Sequence, residues 1–322
     1  ENKLHEPASL RAEVERMLAD PKAKAFTANF TGQWLSLRAI DATLPDRTLY
    51  PEYDDMLKSA MLKETTLFFD EVLKRDLPLT SFVASDFTFV NARLAKHYGL
   101  PGIEGTEMRR VALPPGSHRG GVLTMGSVLK VTANGTTTSP VLRGAWVLER
   151  ILGTPPPKPP ADIEAIEPDI RGATTIREQL AKHRQVASCA TCHVKIDPPG
   201  FALENFDVIG GWRERYRALA NNGEKDSQGR RVRPGPPVEA ADVTPDGARF
   251  RDIEEFKQLL LRDKDQLARS LTEKLLAYST GAAPVKADRP HVEAIVRRVR
   301  EQGYGFRTLI LEVVASQVFQ TK

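Results

Sequence analysis

Ser188-Cys189-Ala190-Thr191-Cys192-His193 is the stretch on which the reading of this chain turns. It holds the two cysteines of a 322-residue chain, three positions apart, with a histidine directly after the second. One close pair cannot staple a chain of this length, so the fold must rest on hydrophobic cores, in one large or two ordinary domains. Chance puts two cysteines three apart about once in a hundred and sixty times, and the following histidine brings this to roughly one in ten thousand. C-x-x-C-H is the signature of covalent c-type haem attachment. Two thiols at this spacing reach the two vinyl groups of one porphyrin. The next imidazole then falls beneath the iron, which is commonly held by histidine. Cys189 and Cys192 are therefore the expected anchors of one haem c, and His193 the expected axial ligand to its iron.

Two other uses of the motif compete. A structural zinc site wants four Cys or His ligands. His183 and His193 would complete that set only at an unusual spacing. A thioredoxin-like redox pair follows a strand in a βαβ setting, whereas a helical pattern precedes this motif. The second axial position has few candidates. Met125 lies in an apolar segment after Gly120-Gly121, where a methionine ordinarily fills core. His183 lies ten residues before His193, between Lys182 and Arg184, where a histidine ordinarily faces solvent. An open position is the third option, and Met108, His97, His118 and His291 are weaker ones. Phe201, Phe206 and Trp212 are expected to wall the haem. Asp197-Pro198-Pro199-Gly200-Phe201 reads as a rigid turn past its edge, since Pro fixes φ and Gly permits close approach. Arg143, Arg213 and Arg215 could fork onto haem propionates, with a plain surface position as the ordinary alternative.

Outward from the motif the chain reads as helices. Helical spacing runs over Leu10–Ala19 behind Ser9, over Ala23–Leu37 with Phe26, Phe30 and Trp34 on one face, and over Tyr53–Lys74. Asp54 and Asp55 in the first turn of the last of these, and Lys74 and Arg75 in its final turn, suit the helix dipole. Asn91 caps a short helix to His97 that Gly99 ends. Val122–Val131 is apolar and ambiguous. Ser139-Pro140 opens a helix to Leu152. The run Thr154–Pro160 is a stiff polyproline tether, and a helix from Ile176 to about Gln185 runs into the motif. After it, Pro198-Pro199-Gly200 and Pro234-Gly235-Pro236-Pro237 bracket a loop-rich region with short strands. Helices return over Ile253–Leu261, Lys264–Tyr278, Arg289–Gln302 and Phe306–Phe319, punctuated by Gly281, Gly303 and Gly305. The expected fold is mainly α, with helical N- and C-terminal parts around a loop-rich, cytochrome-c-like haem-binding centre. The expected boundaries are 1–112, 113–245 and 246–322.

The text flanking the motif also carries a resemblance. Gly120-Gly-Val-Leu-Thr-Met-Gly-Ser-Val-Leu-Lys-Val-Thr132, Thr138-Ser-Pro-Val-Leu-Arg-Gly-Ala-Trp-Val-Leu-Glu-Arg-Ile-Leu-Gly153 and Cys189 through Asp207 are similar to a planctomycete-type c-type cytochrome family. Its members string together domains of unknown function of the 1592, 1588 and 1585 families. Gln33-Trp34-Leu35 through Phe87-Thr-Phe-Val-Asn-Ala-Arg-Leu-Ala-Lys-His-Tyr-Gly99 resembles the first, residues 117–217 the second, and Asp252 to Phe319, with Leu271-Thr-Glu-Lys-Leu-Leu-Ala-Tyr-Ser-Thr-Gly281, the third. The resemblance covers nearly the whole chain. It implies covalent haem at Cys189 and Cys192, His193 as proximal ligand and an extracytoplasmic location. It supplies no reaction.

Composition narrows the remaining classes. Net charge is 46 − 42 = +4, and Arg and Lys are interspersed with Asp and Glu, so no basic patch points to nucleic acid. No apolar run approaches the ~18 residues of a membrane span. Residues 1–20 hold no apolar stretch flanked by basic residues, so no export signal is expected within them. Haem attachment nevertheless implies the periplasm or another extracytoplasmic space, where thioether-forming machinery works. The chain shows no P-loop, H-E-x-x-H, G-x-S-x-G or dinucleotide fingerprint. The leading expectation is a monohaem c-type cytochrome moving single electrons, with redox donor and acceptor proteins or a larger membrane-associated complex as partners. The alternatives are a haem-dependent oxidoreductase or peroxidase-like enzyme with an open distal site, and an accessory subunit with a structural haem. Whether the chain is an enzyme stays open.

Overall fold

A computed structural model describes residues 3–157, 175–185, 187–220 and 231–321. Thirteen α-helices appear among them, in the order α1 (Pro7–Ala19), α2 (Ala23–Trp34), α3 (Asp55–Lys74), α4 (Ala92–Tyr98), α5 (Gly126–Val131), α6 (Pro140–Trp146), α7 (Ile176–His183), α8 (Ala187–Phe201), α9 (Ile253–Leu260), α10 (Lys264–Thr280), α11 (Arg289–Glu301), α12 (Phe306–Val314) and α13 (Gln317–Thr321). The fold is mainly α. The strands are short and antiparallel. β1 (Phe87–Val90) pairs with β2 (Arg109–Ala112), β3 (Arg215–Leu219) with β4 (Val232–Pro237), and β5 (Asp242–Val243) with β6 (Arg249–Phe250).

Polar side chains fix where several helices begin. The Leu57 N–H donates to the Asp54 carboxylate at 2.6 Å, Leu94 to Asn91 at 3.0 Å, Leu142 to Ser139 at 3.3 Å and Glu255 to Asp252 at 2.9 Å. Each satisfies one of the backbone donors that a helix leaves without an internal partner. α1 departs from expectation. It starts at Pro7, and the Ser9 hydroxyl donates to Glu6 inside the first turn instead of capping it. Proline suits that first turn because its missing N–H is one the helix does not use. α2 stops at Trp34, since Ser36 adopts a left-handed φ of 62° that a helix cannot accommodate. The Val122–Val131 segment resolves into a 3-10 turn, Val122–Thr124, followed by α5. α6 continues as a π-turn over Val147–Ile151. The expected Phe306–Phe319 helix is broken into α12 and α13. The polyproline tether lies outside the described residues from residue 158 onward.

One apolar core runs through all three parts of the chain. Phe30 and Trp34 from α2, Phe68 and Phe69 from α3, Val122 and Leu129 from the middle, and Leu271, Val296 and Phe306 from the C-terminal helices belong to it. Aromatic rings lock its centre edge to face: Phe69 and Phe306 at 4.8 Å, Phe82 and Phe306 at 5.1 Å, Trp34 and Phe82 at 5.1 Å. Such pairs add about 0.5–1.5 kcal/mol each beyond area burial. α3 is the shared wall, buried along Leu57, Met61, Phe68 and Val72.

Candidate haem-attachment site

The motif sits on α8. Positions three and four apart share one face of a helix, so Cys189, Cys192 and His193 lie together along it. Both cysteines are half-buried free thiols. α8 does not end at the motif. It continues through Pro198 and Pro199 to Phe201, which corrects the expected turn at Asp197–Phe201. Prolines inside a helix remove backbone bonds, so packing has to hold this segment helical. That packing comes from α6. A Cβ on Gly144 would lie 1.7 Å from the Ile196 carbonyl oxygen, and one on Gly200 would lie 1.8 Å from that of Pro140. Glycine at both places lets the two backbones touch, and the contact overrides the local preference of Pro-Pro-Gly for a turn.

The continued helix has a chemical consequence. It puts Asp197 one turn beyond His193, and the ring Nδ1 lies 2.8 Å from Asp197 Oδ1. A carboxylate can only accept, so Nδ1 carries the proton and donates, which in the neutral ring leaves the lone pair on Nε2. Asp197 is fully buried, and Arg184, in the turn between α7 and α8, brings Nε to 3.6 Å from its second oxygen. A metal-ligating histidine ordinarily shows this pattern, its other nitrogen held by a carboxylate or carbonyl. Two thiols and an oriented imidazole on one face of one helix are what a covalently held haem requires. A zinc ion needs a fuller set. Among the described residues no group of three or more His, Cys, Asp or Glu stands together to hold a metal ion.

The other expected site residues divide. Phe201 is fully buried on α8, with the Arg177 guanidinium 3.7 Å above its ring. Arg177 itself donates to the carbonyls of Glu239 and Ala241, tying α7 to the segment before β5. Trp212 lies on the segment between α8 and β3. It stacks on His118 at 3.7 Å, nearly parallel, meets Phe206 edge to face, and donates its indole N–H to Glu214. Met125 is buried in the main core just ahead of α5, where the neighbouring Gly126 abuts Met61. The His183 side chain lies outside the described residues. His97 donates a ring N–H to the Ile209 carbonyl, and its burial pushes its pKa down.

Arg143 and Arg213 are buried, which corrects the surface reading. Arg143 is fully buried and donates to the carbonyls of Leu203, Phe206 and Asp207 and to Glu204. Arg213 donates to the carbonyl and carboxylate of Glu204 and to Thr138. Glu204 also accepts from Thr138 and Tyr216. Burial holds the Arg143 pKa down at about 10, in spite of the Glu204 charge. Together these groups clamp the chain leaving α8 against α6. Arg215 remains on the exposed edge of β3 and donates to Gly235.

A second polar seam joins the N-terminal part to the centre. The buried Glu64 on α3 accepts from Thr88 and Tyr98, each at 2.6 Å, and Tyr98 accepts from the Gly126 N–H. Burial outweighs those two donors and raises the Glu64 pKa to about 7. Arg119 lies 3.4 Å over the Tyr98 ring and donates to the carbonyls of Thr124 and Gly210.

Sequence reasoning missed Asp197, Glu204 and Glu64. For Asp197 a signal existed: it stands four residues after His193, a spacing that pairs side chains once the segment is taken as helix. Glu204 and Glu64 offered none, since an isolated acidic residue is ordinarily exposed.

No curated protein and no solved structure matches the chain. Three families do, each described as a protein of unknown function: DUF1592 over residues 1–100, DUF1588 over residues 119–216 and DUF1585 over residues 246–319. The motif, α6 and the Arg143 clamp fall within the second. The chain therefore carries DUF1592, DUF1588 and DUF1585 in succession, the domain arrangement of the planctomycete-type cytochrome-associated proteins.

Proposed function

We propose that the chain is a monohaem c-type cytochrome that passes single electrons in an extracytoplasmic space, as a subunit or module of a larger assembly. One observation carries this reading: Cys189, Cys192 and His193 share a face of α8, with the His193 ring turned by buried Asp197 so that Nε2 keeps its lone pair. Attachment is a balanced addition. Each S–H adds across one vinyl double bond, giving a thioether with nothing released and no oxidant consumed. The bound haem would supply one-electron chemistry at iron. The protein's part is to anchor it through Cys189 and Cys192 and to orient His193.

Partners are then redox donors and acceptors, including a membrane-associated complex. No helix among the described residues is long and apolar enough to cross a membrane. A second reading, a haem-dependent oxidoreductase of peroxidase-like character with an open distal position, is favoured by the carboxylate behind His193, which raises the basicity of an axial imidazole. Absorption spectra with and without carbon monoxide separate the two. Electron transfer predicts a low-spin spectrum in both oxidation states, unmoved by carbon monoxide. Rapid carbon monoxide binding would overturn it in favour of the enzyme.

A further inference from the structure

We infer that Asp197 is a positioning residue that sets the electron richness of the haem iron through His193, with Arg184 moderating it. The inference rests on the haem reading above and goes beyond it by assigning two residues a tuning role.

The geometry makes the case. Asp197 Oδ1 accepts from His193 Nδ1–H at 2.8 Å, and the carboxylate is fully shielded from solvent. Water therefore does not dilute the interaction, and a charge-assisted hydrogen bond in a poorly polarisable setting is stronger than the same bond at a surface. Negative charge drawn toward Nδ1 makes the imidazole a better donor at Nε2. A better donor stabilises ferric iron over ferrous and lowers the reduction potential. Arg184, 3.6 Å from Oδ2, pulls the same charge the other way. The pairing depends on α8 remaining helical through Asp197 at four-residue spacing, which the Gly144–Ile196 and Gly200–Pro140 contacts enforce. The tuner is thus built into the helix packing and not into a loop.

The test uses the full haem-loaded chain, with haem content checked by mass before any potential is read. Asp197→Asn keeps the size and an acceptor oxygen but removes the charge. Its reduction potential should rise, and the His193 Nδ1–H should exchange with solvent faster in NMR spectra. Arg184→Gln leaves the carboxylate unopposed, and its potential should fall. It also guards against an Asp197 variant that fails to fold. Opposite shifts in the two variants, with the faster exchange in Asp197→Asn, support the assignment. A haem-loaded Asp197→Asn chain with wild-type potential and exchange overturns it, as does an unmoved potential in Arg184→Gln. A wild-type chain made with haem-attachment machinery that carries no haem overturns the haem reading itself, which is a separate failure.

Discussion

In the C-terminal helices most buried positions are apolar, among them Ile253, Phe256 and Leu260 on α9, Leu267, Leu271 and Leu275 on α10, Val292, Ile295 and Val299 on α11 and Leu309 and Val313 on α12, with Lys257, Ser270, Thr272 and Thr308 as polar exceptions. Around α8 the largest fully buried side chain is Arg143, with Glu204 and Asp197 beside it at zero exposure. The C-terminal helices are thus held mainly by area removed from water, which is tolerant of shape and indifferent to direction. The centre is held largely by directed donors and acceptors, and a buried polar group that loses its partner costs its full desolvation. A site that must hold one imidazole at one angle sits in the directed part.

The sharpest way to break this contrast is Arg143→Ala. It removes one of the two arginines from buried Glu204 and takes a charged donor from the carbonyls of Leu203, Phe206 and Asp207, and unfolding in urea should show a loss of about 3–5 kcal/mol. A loss below ~1 kcal/mol would mean the clamp is ornamental.

The seam at Glu64 gives a pH signature. Its pKa is raised from 4.5 unfolded to about 7 folded. The folded state therefore holds the proton more tightly, and stability falls as pH climbs from about 4.5 to about 7. The accumulated loss is about 3 kcal/mol at ~1.4 kcal/mol per unit. Glu64→Gln removes it, so the variant should gain on the wild type by that amount between pH 4.5 and pH 8 when urea unfolding is compared at both. Parallel profiles would show that Thr88 and Tyr98 already keep the carboxylate ionised.

Gly144→Ala tests the backbone contact of α6 with α8. A methyl group 1.7 Å from the Ile196 carbonyl forces the helices apart. The expected loss is about 1–3 kcal/mol, with reduced haem incorporation as the companion readout. The smallest effect belongs to the apolar end. Asp252→Ala removes one cap from α9 and should cost about 1 kcal/mol, read as a small shift of the thermal midpoint with incorporation unchanged.

This division also explains what the sequence disclosed. Helical spacing of Phe26, Phe30 and Trp34, or of Ile253, Phe256 and Leu260, states its own answer, because apolar burial follows a periodic face. Asn91 and Ser139 announced their caps, whereas Asp54, read as part of the first turn, is the cap of α3. The motif residues Cys189, Cys192 and His193 were legible because their chemistry needs a fixed spacing. Asp197 was not, because Pro198-Pro199-Gly200 reads locally as a turn and only α6, more than fifty residues away, makes it helix. Arg143 and Arg213 were misplaced for the same reason. An arginine looks exposed until the carbonyls it serves are folded around it, and those come from residues 203–207. The β1–β2 pair also escaped, since each strand is four residues long and gains its meaning from the other.

The central claim is that Cys189 and Cys192 bind haem covalently, and intact mass under denaturing conditions tests it most directly. The chain should be made in an extracytoplasmic compartment with haem-attachment machinery, beside a Cys189→Ala/Cys192→Ala control. The wild-type mass should exceed its polypeptide mass by one haem, and the control should carry none. A wild-type chain at bare polypeptide mass, with both thiols free, would contradict it.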